Sequence, residues 1–298
     1  MTTTRVASPS VSVRAVVKAA RPRQWVKNVL VLAAPALGGQ IGDTDVLFAA
    51  AIAFVAFCCA ASGIYFINDV RDIEEDRAHP TKRFRPIPAG EVSTRLAVVV
   101  GIGLLLAGLA VSLAANWQLF AVIATYEVVS LIYCLALKDE PVIDIAIIAS
   151  GFLLRAVAGG AAAEIALSQW FLLAASFGSL FMAAGKRYAE AMMVEPGDAS
   201  TRRSLSEYSA SYLRFVWSVA AAILIMTYGL WAFEIKQLNG TPWAAISIAP
   251  FVLAVLRYAV DVDAGRAAAP EDIALSDRVL QGLAVVWLTL VAIAVYIG

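Results

Sequence analysis

Nine apolar runs, each bounded by polar or charged residues, constrain this chain more than any other feature. They cover about residues 26–40, 45–67, 95–115, 117–137, 141–163, 168–185, 212–235, 243–260 and 279–297. Most approach the roughly 20 residues that an α-helix needs to cross the hydrocarbon of a bilayer. In lipid the backbone must satisfy its own hydrogen bonds, which leaves helices or a closed barrel. Barrel strands would be about ten residues long with alternating polarity, a pattern this sequence lacks. The expected fold is therefore all-α: a polytopic membrane bundle of nine transmembrane helices. The first run is short, so it is expected to be tilted or partly interfacial.

Composition agrees. The chain is 61% hydrophobic and 15% charged, whereas soluble domains are nearer half apolar and a quarter charged. No polar stretch is long enough for a second domain, so one transmembrane domain is expected over residues 21–298. Residues 1–20 begin with a polar Ser/Thr-rich stretch and are expected to be a disordered tail without the apolar core of a signal peptide. Cys58, Cys59 and Cys134 fall inside apolar runs and read as small core residues rather than disulfides or metal ligands.

The formal net charge is zero, so no global field points to nucleic acid. The charges are nevertheless sorted by position. Of the 23 Lys and Arg, 21 lie before the first run or in alternate connections. Lys236 alone lies on the other side, and Arg155 is inside the fifth run. Loops rich in Lys and Arg stay in the cytoplasm. The N-terminus is thus expected inside and the C-terminus outside, in the periplasm. The protein would be a multi-pass resident of the inner (plasma) membrane, its charged rim facing the cytoplasm.

That rim carries Asn68-Asp69-Val70-Arg71-Asp72-Ile73-Glu74-Glu75-Asp76, with five acidic residues in nine positions, and then Pro80-Thr81-Lys82-Arg83-Phe84-Arg85-Pro86. Asn68, Asp72 and Asp76 are spaced i, i+4, i+8. On a helix each step drifts by about 40°, so the three share a stripe. An amide carbonyl and two carboxylates are hard oxygen donors, suited to Mg2+ that also takes substrate phosphates. Uncompensated carboxylates at a membrane boundary are costly, and the basic cluster follows at once. Magnesium with phosphate predicts an enzyme acting on a lipid.

The motif Asn68-Asp69-x-x-Asp72-x-x-x-Asp76, with Arg85-Pro86-Ile87-Pro88-Ala89-Gly90 downstream, resembles the UbiA superfamily of intramembrane prenyltransferases. The resemblance runs from about Arg21 to the end of the chain. It implies the nine-helix, N-inside layout, and Asn68, Asp72 and Asp76 as the residues that hold Mg2+ on a diphosphate. Aromatic prenyltransferases of this superfamily carry a second Asp-rich element, Asp-x-x-Tyr-Ala-x-x-Asp, after the sixth helix. Here that stretch is Gly185-Lys186-Arg187-Tyr188-Ala189-Glu190-Ala191-Met192. Tyr188-Ala189 remains, the flanking aspartates are Gly185 and Met192, and two cations have entered. A site with one metal and direct cation contacts suits one diphosphate plus further monophosphates, which Lys and Arg bind by charge-assisted hydrogen bonds.

Gln24-Trp25-Val26-Lys27-Asn28, His79 to Pro86, Ser150 to Arg155 and Gly185 to Glu190 together resemble one branch, the decaprenyl-phosphate phosphoribosyltransferases. This implies transfer of the 5-phosphoribosyl group from phosphoribosyl pyrophosphate (PRPP) to a polyprenyl (decaprenyl) monophosphate. Pyrophosphate would leave with inversion at ribose C1, as a step toward the lipid-linked arabinose donor of cell-wall arabinan. Asp72, Asp76, Lys82 and Arg155 are the expected catalytic residues. Substrate binding is expected of Lys27, Tyr65, Lys82, Arg83, Arg85, Tyr133, Lys138, Arg155, Lys186, Arg187 and Tyr188. An intramembrane arginine such as Arg155 is a functional candidate by default; its structural alternative is a pairing with Asp144, three turns away. His79, beside Pro80, is expected to be structural or solvated rather than a base. Self-association of the chain is left open. Two other readings compete: an aromatic or haem prenyltransferase, which would need the missing second Asp-rich element, and a transporter or lipid-binding scaffold, which often shows repeated halves not found here.

Overall fold

The computed structural model describes residues 12–192, 207–267 and 270–297. Among them every regular element is helical. A short helix α1 (Val13–Ala19) leads into a 3-10 segment (Pro22–Leu32) and α2 (Ala33–Leu37). There follow α3 (Thr44–Arg71), α4 (Ile73–Ala78), α5 (Thr94–Ser112), α6 (Trp117–Ile132) with a π-helical turn (Tyr133–Leu137), α7 (Ile143–Ala162) and α8 (Gln169–Met192). The chain closes with α9 (Ala210–Asn239), α10 (Trp243–Ile246), α11 (Ile248–Asp263), α12 (Pro270–Ser276) and α13 (Arg278–Tyr296).

Seven of these stretches are long and apolar enough to cross a membrane: 44–71, 94–112, 117–137, 143–162, 210–239, 243–263 and 278–296. They correspond to seven of the nine expected runs. The other two differ for visible reasons. The run at 26–40 is broken into the 3-10 segment, which opens at Pro22, and α2, with Pro35 inside the run and Gly38-Gly39 near its end; proline removes helix donors and fixes φ. The run at 168–185 does form a helix, the 24-residue α8, but α8 continues into Lys186, Arg187 and Glu190, which dilute its apolar character. The tail also differs from expectation, since it is helical from Val13; residues 1–11 lie outside the described residues.

Lipid supplies little drive for apolar helices to associate, so their contacts depend on close packing of small residues. Gly159 on α7 is the tightest case: a Cβ there would lie 1.7 Å from the carbonyl oxygen of Val31, so the 3-10 segment presses its backbone directly onto α7. Two core clusters result. One gathers Phe57, Ile64, Leu105, Leu119, Ile123 and Tyr126 from α3, α5 and α6. The other gathers Phe181, Tyr188, Leu213, Leu224, Tyr258 and Val262 from α8, α9 and α11. Helix α7 packs on α8 and on α6, and so joins the two. The three cysteines are free, with Cys58 and Cys134 buried.

Candidate active site

Helix α3 ends at Arg71, but its hydrogen-bond ladder does not. Asp72 N donates to Asn68 O at 2.9 Å and Asp76 N to Asp72 O at 2.8 Å. Asp72 sits at the junction with φ −95° and ψ 15°, so the chain bends there and resumes as α4. Asn68, Asp72 and Asp76 therefore keep their i, i+4 succession across the bend, and both carboxylates are buried.

Each member of this stripe meets a partner from another element. Cys134 Sγ donates to Asn68 Oδ1 at 3.4 Å. Lys138 Nζ lies 2.7 Å from Asp72 Oδ1 and 3.2 Å from Glu75 Oε2. Arg85 Nη1 lies 2.6 Å from Asp76 Oδ2, and Lys82 Nζ 3.9 Å from Asp76 Oδ1. Burial works against the Lys138 ammonium, but the hydrogen bonds and charges of Asp72 and Glu75 outweigh it and hold its pKa above the ordinary lysine value. Cys134, inside the π-helical turn after α6, and Lys138, just beyond it, both reach the stripe. Such turns insert an extra residue into a helix and recur at functional sites.

Two carboxylates, one amide carbonyl and adjacent cations fit a divalent ion that completes its shell with phosphate oxygens. Among the described residues no three His, Cys, Asp or Glu converge as a self-sufficient metal site. An ion held here would depend on substrate oxygens. Lys138 and Arg85 now supply the positive charge that such an ion would bring to Asp72 and Asp76.

A second charged cluster lies between α7 and α8. Arg187 is 1% exposed and Asp144 is fully buried. Arg187 Nε is 2.8 Å from Asp144 Oδ2, its Nη1 is 2.5 Å from Glu190 Oε2, and its Nη2 donates to Tyr133 Oη at 3.0 Å. Lys186 Nζ lies 3.7 Å from Glu190 Oε1. Tyr208 donates to Asp144 Oδ1 at 2.5 Å and accepts from the Val142 amide, which holds Val142 at φ +69° at the head of α7. A β-branched residue rarely adopts that conformation. Burial and the bond to Asp144 push the Tyr208 hydroxyl pKa up. Arg187 is thus occupied by anions of the protein itself, and the residue opposite Asp144 is Arg187, not Arg155.

Arg155 has a different setting. Its Nε donates to Asn28 Oδ1 at 2.8 Å, Nη1 to Gly151 O at 2.6 Å and Nη2 to Tyr126 Oη at 3.3 Å. Its guanidinium lies 5.1 Å from the Phe57 ring centre and 5.0 Å from that of Tyr126, and it is 6% exposed. No carboxylate forms an ion pair with it among the described residues. A buried cation satisfied by neutral groups keeps its full charge for an anion.

The remaining expected residues are scattered around these centres. Tyr65 carries the Arg21 guanidinium 4.7 Å above its ring. Lys27 Nζ is 6.0 Å from the Phe152 ring. Arg83 is exposed and lies over Phe84 at 4.8 Å. Tyr188 turns toward α9 and α11: its hydroxyl accepts from Arg214 at 2.8 Å and lies 3.5 Å from Asp263, while Arg187, its neighbour in sequence, turns the other way. His79 Nδ1 accepts from the amides of Thr81 at 3.2 Å and Lys82 at 3.4 Å, closing the turn that presents Lys82. Sequence reasoning missed Asn28, Cys134, Tyr126 and Tyr208 as partners of the charged groups. Asn28 had a signal, since it stands in the quoted Gln24-to-Asn28 motif; the others carry none.

The sequence model of the UbiA prenyltransferase family matches residues 29–280. The chain is 51% identical over 300 residues to the decaprenyl-phosphate phosphoribosyltransferase of Mycolicibacterium smegmatis, covering 97% of this chain and 94% of that one. It is 52% identical over 294 residues to that of Mycobacterium tuberculosis, covering 97% of each. A solved UbiA homologue from Archaeoglobus fulgidus, bound to GPP and Mg2+, superposes with a TM-score of 0.72 at 16% identity over 94% of this chain and 98% of that one. The same homologue has also been solved with Cd2+, so relatives of this fold hold divalent ions. With its seven apolar helices and this match over most of its length, the chain is an integral membrane protein and belongs to the UbiA prenyltransferase family.

Proposed function

We propose that this protein transfers the 5-phosphoribosyl group from PRPP to a polyprenyl monophosphate, with decaprenyl phosphate as the acceptor. One observation carries the reading. The stripe that would hold the metal, Asn68, Asp72 and Asp76, is contacted by Lys138 and Arg85, and Gly185 and Met192 stand where aromatic prenyltransferases have aspartates, with the cations Lys186 and Arg187 between them. The names of the relatives, at about half identity over nearly full length, support it. An aromatic or haem prenyltransferase would lack its second acidic element.

Asn68, Asp72 and Asp76 are the residues that would hold Mg2+, which when bound neutralises charge on the departing diphosphate. Lys82 and Arg85, already at Asp76, contact the same end of PRPP. The bond from ribose C1 to the diphosphate oxygen breaks, and pyrophosphate leaves with the electron pair. A lipid phosphate oxygen forms the new bond to C1 from the opposite face, which inverts the anomeric centre. A phosphate monoester is already anionic near neutral pH, so no strong base is needed and positioning dominates. Arg155, with no carboxylate paired to it among the described residues, and Lys27 bind a remaining phosphate. Arg187 acts through Tyr133, which it orients.

The charge sorting supports a cytoplasmic N-terminus, a cytoplasmic active site and a plasma-membrane location. The broken run at 22–37 and α8 complete nine membrane segments within one domain over 21–298 in this reading. The test is incubation of purified protein with radiolabelled PRPP and decaprenyl phosphate, with Mg2+ and with EDTA. Label should enter the lipid fraction only with Mg2+. No lipid-linked label with Mg2+ present rejects the proposal, and transfer from a prenyl diphosphate to an aromatic acid favours the aromatic reading.

A further inference from the structure

Asp69, the first aspartate of the motif, lies about 100° around α3 from Asn68 and serves a separate place. A cleft of about 280 Å³ opens between α1 and the turn after α4, lined by Lys18, Arg21, Asp69, Thr81, Phe84 and Arg85. Arg21 pairs with Asp69 Oδ1, and Arg85 Nη1 lies 3.3 Å from the same oxygen. Among the described residues Lys18 Nζ reaches only the Phe84 carbonyl, at 3.4 Å. Lys18, Arg21 and Arg85 thus line a cleft whose own carboxylate, Asp69, is 1% exposed; with Asp76, which Arg85 also meets, three cations stand against two carboxylates, and Arg21 and Arg85 keep 25% and 29% of their side chains open. Excess positive charge in a partly desolvated cleft favours an anion. The volume is several times the roughly 30 Å³ share of one water, enough for a phosphate group.

The rim of the cleft is apolar and exposed. Helix α1 buries Ala15 and Ala19 against the bundle, yet Val13 and Val17, one turn apart, are 77% and 53% exposed. Phe84 at the mouth of the cleft is 61% exposed. Exposed apolar side chains beside a row of cations mark an element lying at a membrane surface.

We propose that this cleft binds a phosphate group presented at the membrane surface, by an anionic phospholipid or by phosphate in solution, and that Arg85 couples it to Asp76. Arg85 Nη1 spans both centres, 3.3 Å from Asp69 and 2.6 Å from Asp76. An anion in the cleft draws the guanidinium toward itself and frees Asp76 for a metal. By linkage, metal on Asp76 frees Arg85 for the anion. The inference goes beyond the transfer reaction and stands without it.

The test reads binding, not turnover. Full-length protein is reconstituted in nanodiscs of phosphatidylcholine, or of phosphatidylcholine with phosphatidylglycerol, and the lipid retained after detergent exchange is weighed by mass spectrometry. Phosphatidylglycerol should be retained in preference, and Lys18→Gln should lower that retention about tenfold, the weight of one charge-assisted contact. Lys18 is exposed with a single long contact, so this variant folds; Arg21→Gln is the second. Release of the lipid by inorganic phosphate identifies the free anion as sufficient, and resistance to release identifies the lipid form. Mn2+ affinity, read by electron paramagnetic resonance, should rise several-fold in the anionic nanodiscs. Equal retention of the two lipids, or retention unchanged in both variants, overturns the site. Mn2+ affinity indifferent to lipid overturns the coupling.

Discussion

At the junction of α3 and α4, buried acids are met by cations that reach in from the surface. Between α7 and α8, a buried cation is met by a carboxylate, Asp144, that has no access to solvent. Asp72 and Asp76 side chains are 9% and 3% exposed; Lys82 and Arg85 at Asp76 keep about a third of theirs in the open, and Lys138 at Asp72 keeps 13%. Arg187 and Asp144 are 2% and 0% exposed. Partners that remain about a third in solvent can exchange for substrate or metal at little cost. Partners without solvent access stay, because separating a buried pair strands a charge. The first region is arranged to be rearranged; the second holds two helices and the π-helical turn in register.

That contrast can be broken at several points. Asp72→Ala should lower the rate of phosphoribosyl transfer most, by about 10²–10³-fold, the scale of losing a group that offsets charge in the transition state. Its unfolding temperature should hardly move, since Lys138 retains Glu75. A rate within a few-fold of the parent would remove the stripe from the chemistry. Arg187→Met should act the other way round, costing about 3–5 kcal/mol because Asp144 is left unpaired, visible as a fall in thermal unfolding temperature. Adding Asp144→Asn should restore part of it. A stable Arg187→Met protein with weakened PRPP binding would make Arg187 a substrate ligand instead.

Smaller changes sharpen the comparison. Tyr208→Phe removes one bond to Asp144 and one from the Val142 amide and should cost about 1–2 kcal/mol, with the KM for PRPP unchanged. The smallest effect concerns pH. The pKa of Lys138 is raised by its acidic partners against the opposing effect of burial, so its contribution is complete below the ordinary lysine value of about 10.4. It is lost only as pH rises through the higher folded value. The gap in unfolding temperature between the parent and Lys138→Gln should stay constant through neutral and mildly alkaline pH. A gap that closes below about pH 9 would contradict the pairing with Asp72.

Local pattern carried most of the fold and the acidic stripe. Seven apolar runs became seven long helices because length and hydropathy are properties of the segment itself. The i, i+4 spacing of Asn68, Asp72 and Asp76 survived the bend because the helical ladder continues through Asp72. What spacing could not reveal was partnership across helices. Arg155 and Asp144 stand on one helix, yet Asp144 pairs with Arg187 from α8 and Arg155 with Asn28 from the 3-10 segment. Tyr188 follows Arg187 by one position and so faces about 100° away, toward Arg214 and Asp263. The break at Pro22–Leu37 was hidden by its apolar composition, which says how greasy a segment is and not whether its backbone can stay helical.

The π-helical turn at Tyr133–Leu137 has a consequence for how this protein tolerates change. Tyr133, Cys134 and Lys138 reach Arg187, Asn68 and Asp72 from within six consecutive positions. Removing one residue there would restore an ordinary helix and swing everything beyond it by about 100°. Lys138 would lose Asp72 although both of those side chains were still present. Every charged group would remain, yet the two charged centres would no longer be geared to each other.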